Sequence, residues 1–182
     1  MDKQICRTEN DCRRIGEMKR IISEVFMKYL LFEGGQNVGK TTAIIRFANS
    51  LINKHGYVCV NGNVPAIGSN KDFKAVLENV NAKTGYKRII VNSASDYPEI
   101  LDKCKSFADS NKPYDIIISS CRMEQNLYSY FFKIFSVNNS TDKIFEIPMA
   151  KINHRNKALK KHAMQWYKDK IDNLADFLFS QL

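Results

Sequence analysis

The residues with the most explicit chemistry lie in one stretch, Lys28 to Thr42, which reads KYLLFEGGQNVGKTT. Gly34, Gly39, Lys40 and Thr41 within it satisfy the spacing G-x-x-x-x-G-K-[ST], whose chemistry is the holding of phosphate. Glycines let the backbone curl so that the N–H groups of Gly35, Gln36, Asn37, Val38 and Gly39 point inward at phosphate oxygens. Lys40 brings a mobile cation to the β- and γ-phosphates, and the Thr41 hydroxyl can ligate Mg²⁺. A helix that opens at Lys40, Thr41 and Thr42 adds its unsatisfied N–H groups and the positive end of its dipole.

Such a loop works only between a strand and a helix, and the flanking residues supply both. Tyr29 to Phe32 is an apolar run of strand length, and Ala43 to Lys54 carries Ile44, Ile45, Phe47, Ala48, Leu51 and Ile52 at helical spacing. Gly56 marks that helix's end. Strands are expected over 57–60, 88–91, 114–119 and 143–147. Helices are expected over 71–81, 98–110 and 127–137, with a long helix or helix pair from Arg155 onward. Residues 61–69 form a turn-rich loop long enough to approach a ligand. Upstream, Ile15, Met18, Ile22 and Val25 predict an amphipathic helix over 10–26 packed on the same domain. Alternation of strands and helices predicts an α/β fold. It would be a single three-layer domain over 1–182 with a mainly parallel sheet of about five strands and helices on both faces. Ligands in such folds sit at the carboxyl ends of the strands, where the phosphate loop lies.

Phosphate chemistry also needs a polar group opposite Lys40 to hold the metal or position water. The strand RIIV ends in Asn92, which carries no charge, so Asp96 is the candidate metal-side carboxylate, with capping of the next helix as its rival role. Candidate catalytic residues are therefore Lys40 and Asp96, and candidate metal ligands Thr41 and Asp96. Asp115 begins its strand and belongs to the opposite edge. Arg122 follows a strand end and can reach phosphate. His55, His154 and His162 form no cluster.

Composition narrows the classes. No stretch of the sequence has the ~18 to 20 apolar residues of a membrane span, and the N-terminus does not read as a signal peptide. Five scattered cysteines without paired spacing predict reduced thiols and a cytoplasmic location. The net charge of +9 favours polyanions. Arg13, Arg14, Lys19 and Arg20, with Lys157, Lys160 and Lys161, are the expected non-specific DNA surface, meeting phosphates rather than bases.

The stretch GQNVGKTTA, with strand ends at NSASD and SSCR, resembles the ParA/MinD-like (SIMIBI) ATPases, especially the small StbB-type proteins. The tail from Ile147-Pro148 through His154-Arg155-Asn156-Lys157-Ala158 to the last helix is similar to a ParA ending, which in that family borders the adenine. The resemblance implies a Mg·ATP-binding P-loop NTPase with slow hydrolysis, coupled to a DNA-bound protein or to DNA and compatible with a homodimer, in a plasmid partition or mobilisation role. The absence of N-K-x-D favours ATP over GTP. Glu33 stands where that family has its signature lysine, and Asn92 where a Walker B aspartate is expected. Phe32-Glu33-Gly34 also resembles the loop of thymidylate kinases, which implies nucleoside-monophosphate phosphorylation. Against that stand Gln36 in place of that family's acidic loop residue and the few arginines available for a second phosphate site. A non-catalytic nucleotide-binding adaptor is the third reading.

Overall fold

The computed structural model describes residues 27–79, 87–123, 125–153 and 155–182. The helix expected over 10–26, with Arg13, Arg14, Lys19 and Arg20, lies outside them. In chain order the elements are β1 (Lys28–Glu33), α1 (Lys40–His55), β2 (Val58–Gly62), β3 (Lys74–Glu78) and β4 (Arg88–Asn92). They continue with α2 (Pro98–Ser110), β5 (Ile116–Cys121), α3 (Gln125–Phe135), β6 (Lys143–Pro148) and α4 (Lys157–Gln181). The strands form one sheet in the order β2-β3-β4-β5-β1-β6. β4, β5, β1 and β6 run parallel, whereas β3 pairs antiparallel with both β2 and β4. Among the described residues this is an α/β fold with a six-stranded, mostly parallel sheet and four helices.

The apolar runs explain why the parallel strands are central. Tyr29 to Phe32, Ile89 to Val91 and Ile116 to Ile118 are buried without a break, as strands covered on both faces must be. Successive side chains part to opposite faces. Leu30, Phe32, Ile89, Val91, Ile116 and Ile118 meet Ile44, Phe47 and Leu51 of α1 and Ile171 and Ala175 of α4. Tyr29, Leu31, Ile90 and Ile117 meet Leu101, Cys104 and Ala108 of α2 and Phe131 and Phe135 of α3. The aromatic stretch of α3 is thus a core element, with the Tyr29 and Phe131 rings edge-to-face at 6.2 Å. Each fully buried large side chain contributes about 1.5–3 kcal/mol. α1 stops where expected, at Gly56 in the left-handed conformation.

One element departs from its expected type. The helix expected over 71–81 is instead β3. Ala75, Val76 and Leu77 are all fully buried between β2 and β4, so a contiguous apolar triplet marks a two-sided strand. A short run of that kind does not separate strand from helix by period. It also raises the strand count from about five to six. β4, which ends at Asn92, is separated from β1 by β5. The neighbours of β1 are β5, with Phe32 opposite Ser120, and β6, with Phe32 opposite Ile147.

Candidate functional site

Between β1 and α1 the chain makes its glycine-rich loop, at the carboxyl ends of the parallel strands. Gly39 takes φ +96° as the residue preceding α1, and no side chain caps the helix start. The helix therefore presents its first turn to whatever enters the loop. Gly34, at φ +150°, is held by close approach: a Cβ there would come within 2.5 Å of the Met149 carbonyl oxygen. Gln36 to Thr42 line a cavity of about 340 Å³ together with Asn70, Asp72, Ser93 to Asp96 and Ser120. Of the loop residues singled out from sequence, Gln36 to Thr42 gather around one space, whereas Gly34 and Gly35 are not among its walls.

Lys40 is buried, and its Nζ donates to the carbonyls of Gly34 at 2.8 Å and Gly35 at 2.6 Å. The ammonium is folded onto its own loop, bound to neutral acceptors that a phosphate oxygen can replace with a charged one. Next to it, Thr41 Oγ1 lies 2.8 Å from Asp72 Oδ1 and 3.3 Å from the Ser93 carbonyl oxygen. Ser93 Oγ accepts from the Phe73 N–H at 2.9 Å and lies 3.3 Å from the same Asp72 oxygen. A hydroxyl, a carboxylate and a carbonyl converge there on one point, a hard-oxygen donor set of the kind Mg²⁺ takes. The sequence reading missed Asp72. Treating 71–81 as a helix placed it on a remote first turn, whereas it actually sits on the approach to β3, which the turn-rich loop carries back over the strand ends.

Asp96 lines the same cavity, but its Oδ1 is 2.8 Å from Arg122 Nε, with the guanidinium largely buried and the carboxylate half-exposed. The structure therefore brings Asp96 to the site as an arginine partner. Asn92 is fully buried, and its Nδ2 donates to the Ala94 carbonyl at 2.7 Å and to Ser119 Oγ at 3.0 Å. Ser120 Oγ donates to the Ser93 carbonyl at 2.8 Å and lies 3.0 Å from Ser95 Oγ. These bonds tie the end of β4 to the end of β5 and fix the Ser93–Asp96 wall. Beside the loop strand, β5 ends in the buried hydroxyls of Ser119 and Ser120. Asp115 sits at the far edge, as expected, accepting from the N–H groups of Lys87 and Arg88.

Behind the loop the environment differs. Glu33 is buried on the α3 side of β1, and its carboxyl is pushed from 4.5 up to about 7. Burial is the main cause, followed by repulsion from and hydrogen bonding with Glu146 on β6. The Tyr128 hydroxyl of α3 donates to Glu146 Oε1 at 2.5 Å. The Cys121 thiol is pushed up to about 12, mainly by burial and then by the two carboxylates, with Lys40 opposing.

A second cavity of about 190 Å³ opens on the other side of the loop. Val38, Thr42, Met149, Met164, Tyr167 and Ile171 are among its walls. The Tyr167 hydroxyl accepts from the Ala150 N–H at 2.7 Å and lies 3.2 Å from the Pro148 carbonyl, pinning the segment after β6. Arg46 is tied to Asp172 across it. Lys157 and Lys161 are exposed on α4 and Lys160 is half-buried, while Arg13, Arg14, Lys19 and Arg20 of the basic surface expected from sequence fall outside the described residues. Among the described residues there is no group of three His, Cys, Asp or Glu side chains able to hold a metal ion, and no helix long and apolar enough to cross a membrane. Compared with protein families, curated proteins and solved structures, the chain matches nothing.

Proposed function

We propose that this chain is a Mg·ATP-binding P-loop NTPase of ParA-like type, a three-layer domain that hydrolyses slowly and couples nucleotide occupancy to a protein or DNA partner. The observation that carries the reading is the juxtaposition of Lys40, folded onto the loop, with Thr41 and Asp72 sharing one oxygen-lined corner. In this reading, loop N–H groups and the start of α1 receive the β- and γ-phosphates, and Lys40 exchanges the Gly34 and Gly35 carbonyls for phosphate oxygens. Thr41 and Asp72 are the residues that would hold Mg²⁺, which when bound neutralises phosphate charge. The apolar cavity beside Val38, Met149, Met164 and Tyr167 receives the base, next to the tail segment that the ParA resemblance assigns to it.

Slow turnover follows from what the γ-phosphate would face. Serines fill the end of β5, and the Asp96 carboxylate is engaged by Arg122. That pair also weakens the kinase reading, since Arg122, the arginine at this wall, is already neutralised and a second phosphate group needs free cations. Incubation with Mg·ATP and a panel of nucleoside monophosphates tests this. The expected result is slow phosphate release and little or no diphosphate product. Transfer at about 1 to 100 s⁻¹, typical of kinases, overturns the ParA-like reading. Binding without any phosphate release assigns the chain to the adaptor class.

A further inference from the structure

The chain continues its ladder for a few residues past β6. The Met149 N–H turns inward and donates to the Glu33 carbonyl at 2.7 Å, extending the parallel pairing of β6 with β1. In extended backbone the carbonyl of one residue and the N–H two residues on point to the same side, as an acceptor beside a donor. With Met149 bonded inward, the Pro148 carbonyl and the Ala150 N–H face away from β1. Among the described residues β6 is the edge of the sheet, so these two groups meet a side chain instead of another strand.

One hydroxyl takes both. Tyr167 Oη accepts from the Ala150 N–H at 2.7 Å and donates to the Pro148 carbonyl at 3.2 Å. Tyr167 is half-buried and is itself a wall of the apolar cavity beside the loop, as is Met149 between the two backbone groups. Pro148 and Ala150 are not among the walls, which fits a phenol that covers their polar groups. Arg46 and Asp172, also walls, satisfy each other. A hydroxyl suits an acceptor beside a donor because it donates and accepts at once. The edge of adenine does the same with two atoms, its 6-amino group donating next to the N1 acceptor.

We infer that Tyr167 is the specificity gate of the base cavity: its hydroxyl occupies the Pro148 and Ala150 groups in the free protein, and a base edge with a donor beside an acceptor, as in adenine, displaces it. The inference rests on the nucleotide reading and adds to it which base edge is read and which side chain must move. Displacement exchanges two hydrogen bonds for two, so the affinity gained from the base is offset by the bonds that the hydroxyl gives up. A base with the opposite pattern cannot replace those bonds, because its carbonyl would face the Pro148 carbonyl and its N–H the Ala150 N–H.

Tyr167→Phe keeps the ring and removes the hydroxyl. Calorimetric titration with Mg²⁺ compares the full chain and this variant against three ligands: ATP, inosine triphosphate, whose base edge has donor and acceptor reversed, and tripolyphosphate, which has no base. Circular dichroism verifies that the variant is folded. ATP is expected to bind Tyr167→Phe about fivefold more tightly than the wild type, with the other two ligands within twofold. A tyrosine that only pins the segment after β6 predicts weaker binding of ATP and tripolyphosphate alike, and that result overturns the inference. An unchanged ATP affinity, or an equal gain for all three ligands, does the same. The wild type supplies a measurement that needs no variant. It should prefer ATP to inosine triphosphate by about fivefold, and equal affinity for the two overturns the gate while leaving the loop reading intact. Failure of both ATP and tripolyphosphate to bind the wild type overturns the nucleotide reading itself, and the gate with it.

Discussion

Two acidic positions border the same glycine-rich loop and meet opposite surroundings. Asp72, in front of it, reaches Thr41 and Ser93 in an open, oxygen-rich corner. Glu33, behind it, is buried beside a second carboxyl, Glu146, under a tyrosine hydroxyl and a thiol. A carboxylate in the first setting has hydroxyl and carbonyl partners with which it can share a cation. In the second, burial and like charge favour the neutral acid. Proximity to the loop therefore does not decide what a carboxylate can do; the groups that share its pocket do.

The largest effect should come from the residue that joins the two regions. Gly34→Ala places a Cβ within 2.5 Å of the Met149 carbonyl at a φ of +150°. Strain of this kind costs about 3 kcal/mol, which for a chain of this size lowers Tm by roughly 6–12 °C in calorimetry. An unchanged Tm would show that the loop and the segment after β6 are not packed as described.

The contrast between the two acids sharpens next. Asp72→Asn should reduce the gain in ATP affinity that Mg²⁺ confers by about tenfold, on the order of 1.4 kcal/mol, with Glu33→Gln leaving it within twofold. Titrations with and without chelator separate the two. Equal losses in both variants would erase the distinction.

Of these effects the pH profile is the smallest. Because the Glu33 carboxyl holds its proton up to about 7 when folded and to 4.5 ordinarily, the folded state binds more protons between those values. Stability from this group is fully present below about 4.5 and is lost as pH rises through about 7. Glu33→Gln should flatten that decline, measured as Tm between pH 4.5 and 7.5. A slope identical in both proteins would place the charge elsewhere.

How much of this could be read in advance depended on range along the chain. The loop was legible because Gly34 to Thr42 is contiguous, and its strand and helix adjoin it. α1, α2 and α4 were legible from their spacing and stop signals. Asp72 was not, because its role depends on β3 being a strand, and Ala75-Val76-Leu77 carries no period that says so. The partnership of Asp96 with Arg122 likewise joins the end of one strand to the end of another, and only the sheet order brings the two together. Asn92 was picked out as a strand end, but which strand lies beside β1 is a topological fact with no local signal.

Isothermal titration of ATP into the wild type and Lys40→Ala tests most directly whether the loop binds Mg·ATP through Lys40. Loss of a charge-assisted contact worth about 1.5–3 kcal/mol predicts that the variant binds well over tenfold more weakly, or not measurably. The same affinity in both proteins, or no ATP binding by the wild type with Mg²⁺ present, would contradict the account.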